Sequence, residues 1–99
     1  MLFCVISHPR PERPSDVASS RQTFWPWIAA WQAKGVCKQI HPRVGRGAIA
    51  VFDVESNEML HRILNEWADL IPAQFDVYPL VGLEATQAML AAQVAAKDA

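Results

Sequence analysis

The chain has no uninterrupted apolar run approaching the roughly 18 residues that a membrane-spanning helix requires, so a helical integral membrane protein is excluded. Nor is there a concentrated excess of positive charge. The formal net charge is −1 and the basic residues are scattered, which removes the electrostatic footprint of a nucleic-acid-binding protein. Cysteine is sparse: Cys4 and Cys37 stand far apart with no CxxC spacing, which argues against a zinc site and against a redox motif. No His, Asp and Glu gather at metal-ligand spacing, no glycine-rich loop is shaped to cradle phosphate, and no Ser–His–Asp signal is present. The expectation is a protein with no metal and no cofactor. The opening MLFCVISHPRPERP has no basic n-region and carries charge and proline early, so it does not read as a secretion signal. A reduced, cytoplasmic protein is the corresponding expectation. Internal repeats are absent, apart from an alanine bias near the C-terminus.

What is present is apolar and aromatic. Ninety-nine residues suit a single domain spanning 1–99. A domain of this size buries only about two-thirds of its unfolded surface, so oligomerisation would help it. Hydrophobic residues make up 52% of the chain and charged residues 19%, against roughly 25% charged in an average soluble domain. Four Trp and four Phe exceed the needs of one small core. A subunit interface or a ligand pocket is the natural outlet for the surplus.

Leu2 to Ser7 is apolar at nearly every position, which predicts a first strand covered on both faces. The prolines from Pro9 to Pro14 then break regular structure. Ser15-Asp16 can cap a helix running towards Lys34, with Gly35 as its stop. Phe24, Trp27, Ile28 and Trp31 form its apolar stripe, and Pro26 inside it predicts a kinked or split helix. Val36 to Arg43 reads as strand two, Gly45-Arg46-Gly47 as a hairpin turn, and Ala48 to Val54 as strand three. Ser56 caps a second helix in which Met59, Leu60, Ile63, Leu64 and Trp67 share one face, and Pro72 closes its exit. Phe75 to Val81 is strand four, and Thr86 to Lys97 an alanine-rich helix with a weak apolar face. So short a helix is marginal alone, so residues 83–99 are expected to dock on a neighbouring subunit.

The order βαββαβ predicts an α+β, ferredoxin-like domain with an antiparallel four-stranded sheet and an extra C-terminal helix. Right-handed crossovers place both connecting helices on one face of the sheet. The other face still carries apolar residues, and a second sheet packed across a dimer would cover it, giving a dimeric α+β barrel. In this order strands one and two flank strand three, so no Cys4–Cys37 disulfide is expected.

MLF at the start, Gly35 after the first helix, VFDVES at Val51–Ser56, Leu60-His61 in the second helix and the final strand together resemble the muconolactone delta-isomerase family. The similarity covers about two-thirds of the chain. The resemblance implies this fold, oligomerisation, and a pocket suited to a small lactone or aromatic acid. The chain departs from the family pattern at Cys4, where the family has His in MLFHV, and at Cys37 and His41, which replace Trp. The polar pocket residues of the family therefore do not transfer one for one.

Strand two holds the strongest candidates for chemistry. Alternation puts Cys37, Gln39, His41 and Arg43 on one face. Arg43 would clamp a carboxylate, with Gln39 beside it, and His41 would shuttle a proton. The plain alternative is an edge strand whose polar residues prevent stray pairing. His8, at the end of strand one, is either a second proton carrier or a solvent-facing residue. Asp53 is either a general base or a support for the following helix N-terminus. Tyr78 would donate a hydrogen bond to a ligand oxygen, or simply pack. Trp25, Trp27 and Trp31 either wall an apolar pocket between helix one and the sheet or belong to the core. His61 lies off the apolar face of the second helix and reads as a surface histidine.

Two functions follow as expectations. The first is a cofactor-independent isomerase of the muconolactone isomerase type, acting on a small lactone or aromatic-derived ring acid by proton transfer in a pocket between helices and sheet. The second is a non-catalytic small-ligand-binding or assembly module of the same fold. Either would be a homodimer or higher homo-oligomer.

Overall fold

Strand β1 (Leu2–Pro9) buries Phe3, Val5 and Ser7 on one face and leaves Leu2, Cys4 and Ile6 half-buried on the other. This is the two-residue alternation of a strand covered on one side. The computed structural model describes residues 1–98. Beyond β1 it contains α1 (Ala18–Ala33), β2 (Cys37–Pro42), β3 (Ala48–Asp53), α2 (Asn57–Leu70), β4 (Ala73–Leu80) and α3 (Leu83–Asp98). The strands form one antiparallel sheet in the order β2-β3-β1-β4. This is the ferredoxin-like α+β arrangement that the element order predicts.

The first helix differs from its expected form at its start. Pro14–Val17 makes a short 3-10 turn, and α1 then runs unbroken through Pro26. Its end follows the glycine signal closely. Gly35 takes φ +74°, Gly35 N–H donates to Gln32 O at 3.0 Å, and Val36 N–H donates to Trp31 O at 3.0 Å. These two bonds are the Schellman pattern, which satisfies carbonyls the helix end would otherwise leave open. At the other helix, Ser56 Oγ accepts from Met59 N–H at 3.1 Å. Such a cap contributes about 1 kcal/mol.

Phe24, Ile28 and Trp31 of α1 and Leu60, Ile63 and Trp67 of α2 meet Phe3, Val5, Ala50 and Phe52 of the sheet. Trp67 is the centre of this layer, with ring centroids 4.9 Å from Phe24 and 5.2 Å from Phe75. Full burial of each large side chain contributes about 1.5–3 kcal/mol, so this single layer dominates the stability.

The opposite face of the sheet has no such cover. Leu2, Cys4, Ile6, Ile49 and Val51 occupy its centre by register. Helix α3 buries none of its residues. The radius of gyration is 17.1 Å with extents of 63 × 26 × 19 Å, against about 13 Å for a compact chain of this length. The excess reflects α3 extending away from the core.

Candidate active site

The bulge in β2 divides the row of polar residues expected on that strand. Cys37 pairs with Phe52 while Gln39 pairs with Val51, so two residues oppose one and Lys38 is the extra. A bulged residue shifts alternation by one. Cys37 therefore points into the helix-covered core, and Gln39 and His41 point to the open face. Cys37 Sγ donates to Gln39 O at 3.4 Å across the bulge, and burial pushes its thiol pKa above the ordinary 9.0.

The other candidates separate in the same way. Tyr78, opposite Cys4, is exposed on the open face. Asp53 Oδ1 lies 3.3 Å from the Met1 amino group. Trp31 is buried in the core, and Trp27 is half-buried with its Nε1–H donating to Glu66 Oε1 at 3.0 Å. His61 is exposed on α2.

One cluster brings chemistry together. His8 Nε2 lies 2.7 Å from Asp76 Oδ2, and His8 Nδ1 lies 3.2 Å from Arg43 Nη1. A guanidinium can only donate, so Nδ1 carries the lone pair and the Nε2–H donates to Asp76. The second Nη1 contact is to Ser7 O at 3.0 Å. Arg43 N–H donates to Gly47 O at 2.9 Å, which continues the β2–β3 ladder to the hairpin end. His8 and Arg43 thus lie on either side of Gly47. A Cβ at residue 47 would stand 2.5 Å from Ser7 O, the atom that accepts from Arg43. Gly47 also takes φ +96°, a conformation that favours glycine. Behind it, Ser7 is buried and its Oγ accepts from Ala48 N–H at 2.8 Å, which fixes the β1–β3 junction.

On the helix side of this hairpin lies a cleft. Arg43 is in its wall together with Arg21, Arg46, Phe24, Trp25 and Trp67. It encloses about 580 Å³ out to its open mouth, and about 90 Å³ of it admits the centre of a water molecule. A pocket between helices and sheet with Arg43 in its wall therefore exists. Of the tryptophans expected there, Trp25 lines it and Trp27 and Trp31 do not, while Trp67 of α2 joins it.

A model of a domain of unknown function, DUF3303, matches residues 1–94. The chain belongs to the DUF3303 family. A comparison with curated protein sequences finds no significant match. The DUF3303 structure is similar to 5-chloro-2-hydroxyhydroquinone dehydrochlorinase (TftG) from Burkholderia phenoliruptrix AC1100, solved as its complex with 2,5-dihydroxybenzoquinone. The TM-score is 0.61 at 17% identity, covering 86% of this chain and 98% of that chain. At that identity the likeness shows the fold alone, the same four-stranded α+β arrangement.

Sequence reasoning did not single out Asp76 or Arg21 in this DUF3303 chain, and it read Arg46 and Gly47 only as part of the hairpin turn. Asp76 had a readable signal, since a carboxylate within the apolar strand FDVYPL resembles the case of Asp53. What was missing was the β1–β4 register, which sets His8 opposite Gln74 and one diagonal step from Asp76. Among the described residues, no helix is long and apolar enough to cross a membrane.

Proposed function

We propose that this protein is a cofactor-independent enzyme that moves a proton on a small ring acid or lactone, in the manner of a muconolactone-type isomerase. The observation that carries the reading is the Asp76–His8–Arg43 chain of contacts. Asp76 holds the imidazole in the tautomer whose Nδ1 can accept a proton. Arg43 stands beside that nitrogen, where negative charge develops on a substrate carbonyl.

In the proposed reaction Nδ1 takes the proton α to the carbonyl as the C–H bond breaks. The electron pair moves into a dienolate whose oxygen is stabilised by the Arg43 guanidinium. The same proton returns to the far end of the dienolate, so atoms and charge balance without an external reactant. For this to occur, the 3.2 Å contact between Arg43 and Nδ1 must open when substrate arrives. The similarity to an enzyme named for acting on a hydroxyhydroquinone supports a one-ring substrate. His41 and Gln39, on the same open face, and Tyr78 would line the substrate's other edge. Asp53 is further along the sheet and serves the N-terminal contact.

The proposal includes a homodimer of the α+β barrel type, formed within the cytoplasm. The uncovered apolar face and the unburied α3 support it, and they equally support a second reading, a non-catalytic binding or assembly module of the same fold. Deuterium wash-in separates the two. Ring acids and lactones incubated with enzyme in D₂O should gain deuterium at the α carbon, by NMR. His8→Gln and Asp76→Asn should lower that rate by about 10²–10⁴-fold and roughly tenfold or more, respectively, with unchanged circular dichroism. Undiminished exchange in His8→Gln would remove the proposed base, and no exchange with any ring acid would favour the binding module.

A further inference from the structure

We infer that the helix-side cleft is a binding site for a planar, one-ring molecule carrying two acidic groups. This goes beyond the proposed function: the cleft opens on the helix side of the sheet, away from Gln39, His41 and Tyr78, and shares only Arg43 with the proposed proton-transfer site. Three guanidiniums, Arg21, Arg43 and Arg46, line the cleft, and no Asp or Glu does. Among the described residues none of the three forms an ion pair with a carboxylate. Arg43 is held by neutral acceptors, Ser7 O and His8 Nδ1. Arg46 Nη1 donates to the backbone oxygen of Arg10 at 2.8 Å. Three like charges around one small cleft repel each other, and an anion brought between them relieves that repulsion while accepting charge-assisted hydrogen bonds.

The rest of the wall fixes the shape. Phe24, Trp25 and Trp67 contribute aromatic surface, and the Phe24 and Trp25 rings meet edge to face at 5.2 Å. Trp25 is 44% exposed although large and apolar, which leaves ring surface free to lie against a ligand. At roughly 10–15 Å³ for each water, the 90 Å³ interior suits the atoms of one ring, with substituents reaching the open mouth. One acidic group would meet Arg43. A second, across the ring, would meet Arg21 and Arg46. A single carboxylate leaves that second pair unanswered, which is why two acidic groups are specified.

The test is isothermal titration of the wild-type protein with benzene-1,3-dicarboxylate, benzoate and benzamide, followed in parallel by tryptophan fluorescence. The dicarboxylate should bind about tenfold more tightly than benzoate, the ratio expected from one further charge-assisted pair. Benzamide should bind more weakly than either. Arg21→Gln, at an exposed position, should bring the dicarboxylate towards benzoate affinity, and Trp25→Phe should diminish the fluorescence change. Equal binding of benzamide and dicarboxylate to the wild type would overturn the inference, whatever the variants do. An unchanged dicarboxylate-to-benzoate ratio in folded Arg21→Gln would overturn it as well. Binding without turnover leaves the cleft standing and removes the isomerase, whereas turnover of a neutral lactone without dicarboxylate binding does the reverse.

Discussion

On the helix side of the sheet, Val5, Ala50 and Phe52 have no solvent exposure, while on the other side Ile49 is 39% exposed and its neighbours Leu2, Cys4 and Ile6 are only half-buried. The same two strands, β1 and β3, provide both faces, residue by residue in alternation. Away from the arginine-lined cleft at the hairpin end, the helix side is closed within one chain and is built almost wholly of apolar groups. The open side carries the groups able to exchange protons, His8, His41 and Asp76, at the rim of an apolar centre. Burial under the helices would strip those groups of water, a loss that apolar neighbours could not offset. On the proposed reading, stability and proton transfer fall on opposite faces, and Arg43, which lines the cleft yet touches His8, is the residue that connects them.

Substitution on the two faces should differ most in stability. Trp67→Ala removes the ring that contacts Phe24, Phe52 and Phe75, and a loss of about 3–5 kcal/mol is expected in denaturant unfolding. Ile49→Ala should lose about 0.5 kcal/mol in dilute protein. If a second copy covers the open face, the Ile49→Ala loss should grow as protein concentration rises, while the Trp67→Ala loss stays the same. Equal losses at every concentration would mean that the two faces are not distinguished by burial in the way described.

At the hairpin the effect is intermediate and local. Gly47→Ala brings a Cβ to 2.5 Å from Ser7 O at φ +96°, which should destabilise the protein by about 1–3 kcal/mol. Gly45 has a similar φ of +92° but open space around it. Gly45→Ala should therefore lose only the conformational part, about 1–2 kcal/mol. The difference between the two isolates the crowding at Ser7. It should coincide with lost deuterium exchange in Gly47→Ala alone, since that substitution also displaces Arg43. A Gly47→Ala protein as stable and active as Gly45→Ala would show that the close approach has no role.

The elements that follow from local signals were legible in the chain. Gly35 and Ser56 end and begin their helices as such residues should, and the 3.6-residue spacing of Leu60, Ile63 and Trp67 picks out the buried face of α2. The strand order followed from element order and the handedness of crossovers. The site was less legible because it depends on register. A single bulge at Lys38 moved Cys37 away from Gln39 and His41, and nothing in VCKQIHPR marks which residue will be the extra one. Similarly, His8 and Asp76 are 68 residues apart, and only the β1–β4 pairing brings them within a hydrogen bond. The continuity of α1 through Pro26 is a tertiary outcome too: Phe24, Ile28 and Trp31 are held on the core on both sides of the proline, which offsets the hydrogen bond it removes.

The two cysteines give the finest probe of the contrast between faces. Cys37 is buried on the helix side, and burial raises its thiol pKa above 9.0. Cys4 is half-buried on the open side, opposite Val51 and Tyr78. Thiolate is the reacting form, so at pH 8 a thiol reagent should modify Cys4 fully while Cys37 remains unmodified, as read by mass spectrometry of proteolytic fragments. Raising the pH should sharpen one further difference. The unfolded chain ionises Cys37 at its ordinary value whereas the folded chain resists, so stability from this group is intact below that value and declines as pH rises through 9.0 and beyond. Labelling of Cys4 should also slow as protein concentration rises if a second copy covers the open face, with Cys37 unaffected. Concentration-independent labelling of Cys4 would mean that the apolar centre of the open face stays uncovered, and the proposed acid–base pair at its rim would then have to work without a neighbouring chain.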